Sequence, residues 1–184
     1  MVFSKNAVIT KRNGKLRLVF QVMNIQTSQL IEAHFRGQVL IEVITEEGEI
    51  IKQHQREIKV STQIDKEDEA SEDRGLLLLP VQVSHTLDID SPLYEMTPEE
   101  LLASRMEFIF CMEAVVEPSG NTTQARTSFL PDEILWGCRF DSCVEFEEVE
   151  GLFKADVRKI NQVAVDETPR VSAMKLLESP AVSV

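Results

Sequence analysis

Met106-Glu107-Phe108-Ile109-Phe110-Cys111-Met112-Glu113-Ala114 puts Met106, Phe108, Phe110, Met112 and Ala114 on one side of an extended chain and Glu107, Ile109, Cys111 and Glu113 on the other. A period of two suits a strand with one face in a core, and no helical spacing reproduces it. The stretch reads as the longest strand of the chain, ended by the turn residues Pro118-Ser119-Gly120-Asn121. Just upstream, Thr97-Pro98-Glu99-Glu100 predicts a helix start. Thr97 suits the cap, Pro98 the first helical position and Glu100 the reciprocal arm of a capping box, with one short helix to about Ser104.

Working outward, the same period recurs. Leu16, Leu18, Phe20 and Val22 alternate with Arg17, Val19 and Gln21, as in a half-buried strand, and Asn13-Gly14 before them is a hairpin signal. Val39, Ile41 and Val43 repeat the pattern, and Glu46-Glu47-Gly48-Glu49 turns the chain into a strand over 50–60. Leu76 to Val83 reads as a strand buried on both faces, with Pro80 hinting at an edge or a bulge. Short strands are expected over 133–136, 139–146 and 153–157, and the stretch after Thr168 has little to pack. Many short strands with a minor helix predict an all-β fold, an immunoglobulin-like β-sandwich of the E-set type with one or two short helices. The expected division is one domain over 1–160 and a partly disordered tail over 161–184.

Composition narrows the function. The 184 residues are 43% apolar and 27% charged, enough for one well-cored domain. No window approaches about 18 consecutive apolar residues, and the start resembles neither a secretory signal nor a transit peptide, so a soluble cytosolic chain is expected. A net charge of -12 repels nucleic acid and anionic lipid and favours cations. Residues 62–74, crowded with Asp65, Glu67, Asp68, Glu69, Glu72 and Asp73, read as a solvated loop, since they lack the glycine and spaced aspartates of a calcium loop.

Little here can be assembled into a catalytic site. His34, His54 and His85 fall on or beside predicted strands, without a nucleophile elbow or a metalloprotease motif, and no phosphate-binding glycine loop is present. Cys111, Cys138 and Cys143 lack the spacing of a metal site and read as buried, reduced thiols. An enzyme is not expected, nor a cofactor or a tightly bound metal. The sequon Asn121-Thr122-Thr123 means nothing in a cytosolic domain, and the terminal Ala181-Val182-Ser183-Val184 only weakly resembles a ligand for PDZ domains.

Several segments, in order over about residues 2–160, resemble the C-terminal cytoplasmic domain of inward-rectifier potassium channels. They are Val2 to Ile9 (VFSKNAVI), Arg12 to Leu16 (RNGKL), Ile31 to Arg36 (IEAHFR) and His85 to Tyr94 (HTLDIDSPLY), then Met106 to Ser128 and Glu133 to Gly137 followed by Arg139-Phe140. The resemblance implies a homotetrameric ring at the cytoplasmic face of a membrane, its centre continuing the pore of a potassium-transporting, voltage-gated inward rectifier. Glu32 matches the acidic position on the vestibule wall and Glu113 the one at the base of the girdle loop. Repeated four times, each becomes a ring that concentrates K+ and transiently holds Mg2+ or a polyamine as a plug. Val115 and Gly120 match girdle-loop positions, and Arg36 and Arg126 match arginines that order the vestibule. On residue type alone, each glutamate also reads as a solvated strand residue, Gly120 as a turn glycine and each arginine as a surface ion pair.

The sequence also departs from the family's pattern. An arginine frequent before the matched glutamate is Gln26, and Cys138 follows Trp136-Gly137 where a histidine is usual. The phosphoinositide-gripping basic cluster lies upstream of the matched segments, so that lipid would act through residues outside this chain. A free-standing soluble β-sandwich module, with the fold but no channel activity, is the alternative reading.

Overall fold

The computed structural model describes residues 1–63, 74–75, 77–148 and 151–178. Residues 64–73 of the expected acidic loop, and the terminal 179–184, lie outside them. Along the chain run β1 (Val2–Phe3), β2 (Ala7–Arg12), β3 (Lys15–Met23), β4 (Leu30–Ile44), β5 (Ile50–Ile58), β6 (Arg74–Gly75) and β7 (Val81–Thr86). Helix α1 (Pro98–Ala103), β8 (Glu107–Val116), β9 (Asn121–Phe129), β10 (Ile134–Trp136), β11 (Cys138–Phe140), β12 (Val144–Glu147), β13 (Leu152–Ala155), β14 (Val163–Val165) and helix α2 (Ala173–Glu178) follow.

Two five-stranded sheets form the expected all-β sandwich. In the first, β3 lies between β7 on one side and β1 and β2 on the other, and β10 adds to β2 in parallel. The second runs β5-β4-β8-β9, with β6 against β4. Asn13 and Gly14, both at positive φ, close the β2–β3 hairpin where the sequence predicted it. Thr97 and Glu100 make the capping box of α1.

The alternation in β8 holds throughout. Phe108, Phe110, Met112 and Ala114 are each no more than 2% exposed, while Glu107, Ile109, Cys111, Glu113 and Val115 face outward and are partly exposed. Phe110 meets Phe20 of β3 and Phe129 of β9 at ring-centroid separations of 4.4 and 6.0 Å, joining the sheets through tilted aromatic pairs.

The structure corrects four expectations. The longest strand is β4, with 15 residues, because two register shifts let it bend and keep pairing past points where a regular strand would part. Strand β7 starts at Val81, while Leu77 to Leu79 form a turn with Leu78 exposed. Pro80, lacking an N–H, sits just before this edge strand. Strand β3 is buried on both faces, since Arg17, Val19 and Gln21 are each at most 2% exposed. The C-terminal third covers that outer face, with Phe140 on Val8 and Val19, and Cys143 and Ile160 on Met23. Finally, the stretch after Thr168 does pack. Ala173 of α2 belongs to the main core, and Trp136 Nε1 donates to the Pro169 carbonyl at 3.0 Å. A carbonyl held for Trp136 and a small residue at the helix start are features that apolar counting overlooks.

Of the three free cysteines, Cys143 is buried, and burial pushes its thiol pKa up, whereas Cys111 and Cys138 are only half-buried. His85 is a core residue. Its Nδ1 donates to the Lys59 carbonyl at 2.7 Å, which leaves Nε2 to accept from the Ser91 hydroxyl at 2.8 Å.

Candidate functional site

The matched residues gather on the outer face of the second sheet. The β8–β9 hairpin closes on the pair Val116 and Asn121, and its register sets Glu113 opposite Gln124, Cys111 opposite Arg126 and Val115 opposite Thr122. On the other flank, β4 sets Arg36 beside Cys111, His34 beside Glu113 and Ile31 beside Val115. Outward alternation therefore builds adjacent rows, Arg36-Cys111-Arg126 and His34-Glu113-Gln124, from three strands.

Four side chains of these rows are hydrogen-bonded in series. Arg36 Nη2 reaches Glu113 Oε2 at 3.4 Å. Gln124 Nε2 donates to Glu113 Oε1 at 2.8 Å. Arg126 donates to Gln124 Oε1 from both Nε, at 3.0 Å, and Nη2, at 2.6 Å. The Arg36 side chain is 66% exposed and that of Glu113 37%, so solvent screens their attraction and the pair adds little to stability. Its importance lies in placement: each oxygen of Glu113 has a fixed partner, yet the carboxylate stays open to solvent on one side.

Glu32 stands apart from this series. Between the pairs Ile31 with Val115 and His34 with Glu113, Glu32 and Ala33 together span the place opposite Ala114, a bulge of one extra residue. Glu32 has φ 49°, a left-handed conformation that side chains other than glycine rarely adopt, and it is exposed. Its carboxylate joins none of the hydrogen bonds above. Ala33 is fully buried, so the bulge holds one residue in the core while presenting its neighbour to solvent.

Gly120 closes the β8–β9 turn at φ 67°, its N–H donating to the Val116 carbonyl at 2.8 Å. A Cβ built there would meet nothing within 4 Å. The turn reading of Gly120 is thus satisfied locally, and the surrounding space is open. Val115 is half-buried, two residues beyond Glu113 on the same face.

The resemblance pointed to Glu113, Arg36 and Arg126 one by one and did not point to Gln124, the residue that joins Glu113 to Arg126. The signal was available in principle, because the closing pair Val116 and Asn121 fixes Glu113 opposite Gln124. Among the described residues, no three His, Cys, Asp or Glu side chains are gathered as a metal centre requires. None of the described helices is long and apolar enough to cross a membrane.

Comparison with known proteins agrees with the ordered motifs. A family model described as the inward rectifier potassium channel C-terminal domain matches residues 1–180. The chain is 38% identical over 184 residues to ATP-sensitive inward rectifier potassium channel 8 of Rattus norvegicus, an alignment covering 100% of this chain and 42% of that protein. It is 41% identical over 180 residues to inward rectifier potassium channel 4 of Homo sapiens, covering 97% and 39%. The chain thus spans about two-fifths of the length of these curated relatives. They are channels, not enzymes, and are described as inward rectifiers, not as voltage-gated channels.

Proposed function

Since this chain belongs to the inward rectifier potassium channel family, as its C-terminal domain, we propose that it is the cytoplasmic pore extension and gating domain of such a channel. The observation that carries this reading is the outer face of the second sheet, where Glu113 is tethered between Arg36 and Gln124 and Glu32 is turned outward by a bulge. Four copies around an axis at the cytoplasmic face of a membrane would bring each glutamate into a ring. A ring of carboxylates against low-dielectric walls raises the local concentration of K+, and a multivalent cation profits far more than a monovalent one. Mg2+ or a polyamine entering from the cytosol then plugs outward current, and inward flow clears the plug. The voltage dependence comes from the plug and requires no charged sensor helix.

Arg36 and Arg126 limit the mutual repulsion of the Glu113 ring, while Glu32, free of such partners, carries its charge undiluted. Val115 and the turn at Gly120 lie beyond Glu113 and shape the aperture. Phosphoinositide would act on the channel through residues outside this chain.

The test replaces the matching domain of inward rectifier potassium channel 4 with this chain and measures spermine block. Glu32→Gln and Glu113→Gln should each weaken block on the order of ten-fold, with potassium selectivity unchanged. Block in the double variant equal to that of the unsubstituted chimera would sink the proposal. Light scattering of the purified chain with and without spermine follows the assembly step separately, a tetramer being the expected species.

A further inference from the structure

On the outer face of the second sheet, the row that carries Glu113 also carries an imidazole. His34 pairs with Glu113 across the β4–β8 ladder, and on its other flank the register position opposite His34 belongs to Arg74 of β6. Residues directly opposite in an antiparallel pair hold their Cβ atoms about 4.5–5.5 Å apart, which makes the His34 ring a neighbour of the Glu113 carboxylate. Ala33 and Phe35 on either side of it along β4 are buried, while His34 is only half-buried, so its ring lies on the outward side and meets solvent. The other charged groups of these rows are Glu32 and Arg36 on the same strand and Arg126 on β9. Arginines keep their charge throughout, whereas imidazole is the side chain whose ordinary titration falls between pH 5 and 8.

We propose that His34 is the proton-sensitive member of this face, its protonation placing a positive charge beside each Glu113 and so weakening the capture of multivalent cations. The inference rests on the channel reading, since only a ring of four copies gathers four imidazoles with four Glu113 carboxylates. Arg36 and Arg126 already offset much of the charge of Glu32 and Glu113. One more positive charge per copy, four per ring, is therefore a large relative change. The sign is fixed by the chemistry: acid weakens the plug and a return to neutral pH restores it. A divalent cation feels the added charge twice as strongly as K+, so block falls more than conduction does. The device works through charge alone and needs no change in the fold.

The test uses the chimeric channel with Mg2+ as the probe, because the charge of Mg2+ does not vary with pH whereas that of an amine does. In the unsubstituted chimera, taking the cytoplasmic solution from pH 7.5 to 6.0 should weaken Mg2+ block on the order of five-fold. His34→Gln takes no proton and should keep block at its pH 7.5 strength at both values. His34→Lys should show the weakened block at both. A pH response of the host portion is common to all three and drops out of the comparison. Equal block of the unsubstituted chimera at the two pH values, a measurement that needs no variant, would overturn the assignment, as would a pH dependence that persists in His34→Gln. The channel reading fails by a different result, the double Glu32→Gln, Glu113→Gln variant being blocked like the unsubstituted chimera at pH 7.5.

Discussion

Gln124 stands between Arg126 and Glu113, its carbonyl oxygen taking two guanidinium N–H groups at 2.6 and 3.0 Å and its amide nitrogen donating to the carboxylate at 2.8 Å. The fork of Arg126 can only donate, so the Gln124 oxygen must face it, and the amide then has only its donor end for Glu113. The arginine is thereby kept one residue away from the carboxylate whose charge it would otherwise cancel.

Replacing Gln124 by glutamate removes that spacer and adds a negative charge beside Glu113. In the chimeric channel, Gln124→Glu should strengthen spermine block by a few-fold, on the order of 1 kcal/mol per ring. Gln124→Leu should weaken block by releasing Glu113 from its tether. A current–voltage series in graded spermine decides the matter, and identical block in both variants would show that the tether has no influence on the ring.

Gly120 separates aperture from turn chemistry. Its positive φ disfavours any side chain, but the space around its Cβ is open, so Gly120→Leu should destabilise the fold by about 1–2 kcal/mol through backbone strain without a clash. Gly120→Asn, which tolerates this conformation better, should be milder in melting experiments. If the girdle is narrow here, current falls with side-chain size in both variants. A collapse of the fold in Gly120→Leu would instead leave the turn as the sole role of this glycine.

His85 ties stability to pH. Burial depresses its pKa, with the Lys59 carbonyl and Asp88 opposing more weakly, so the folded state holds the ring neutral. Its contribution is full above the unfolded value, near pH 6.5, and is lost as the pH falls toward and through the lower folded value. The loss can reach about 1.4 kcal/mol for each pH unit between the two values. Melting of the chain between pH 7.5 and 5 should show this decline, and His85→Asn, less stable at pH 7.5, should flatten it. An equally steep decline in the variant would place the titrating group elsewhere.

Gly37 tests the sandwich itself. A Cβ there would come within 2.8 Å of Ile58 Cγ1 and 3.1 Å of Phe110 Cε1, where β4 passes between β5 and β8. Gly37→Ala should therefore lower stability by about 1–3 kcal/mol, seen as a reduced denaturant midpoint. Unchanged stability would mean that the facing side chains can move aside.

Much of this architecture was legible because it depends on local periodicity. The inward row Phe108, Phe110, Met112 and Ala114 could be read from alternation, as could the hairpin at Asn13-Gly14 and the cap at Thr97. What escaped was non-local. Val19 and Gln21 look like the exposed side of β3 until the segments carrying Phe140, Cys143 and Ile160 are folded over that face. The bulge at Glu32 depends on the pairing of β4 with β8, which no single segment reveals, and the series through Gln124 needs both hairpin registers at once. The two glutamates and two arginines were reached through resemblance, since a charged residue on a strand ordinarily indicates no more than a wet face.

The parallel pairing of β10 with β2 joins Ala7 to Ile134 and Ile9 to Trp136. Thr10 and Asp166 are joined directly, hydroxyl to carboxylate, at 2.6 Å. The first strands of the chain thus remain without their final neighbours until the last third has been synthesised, and long-range closures of this kind are slow to form. On the ribosome, the Thr10 hydroxyl waits in solvent for a partner 156 residues further along, and the apolar side of Val8 for Leu135 and Phe140. The interval before the last strands arrive is the time in which another copy, or a chaperone, has access to that edge.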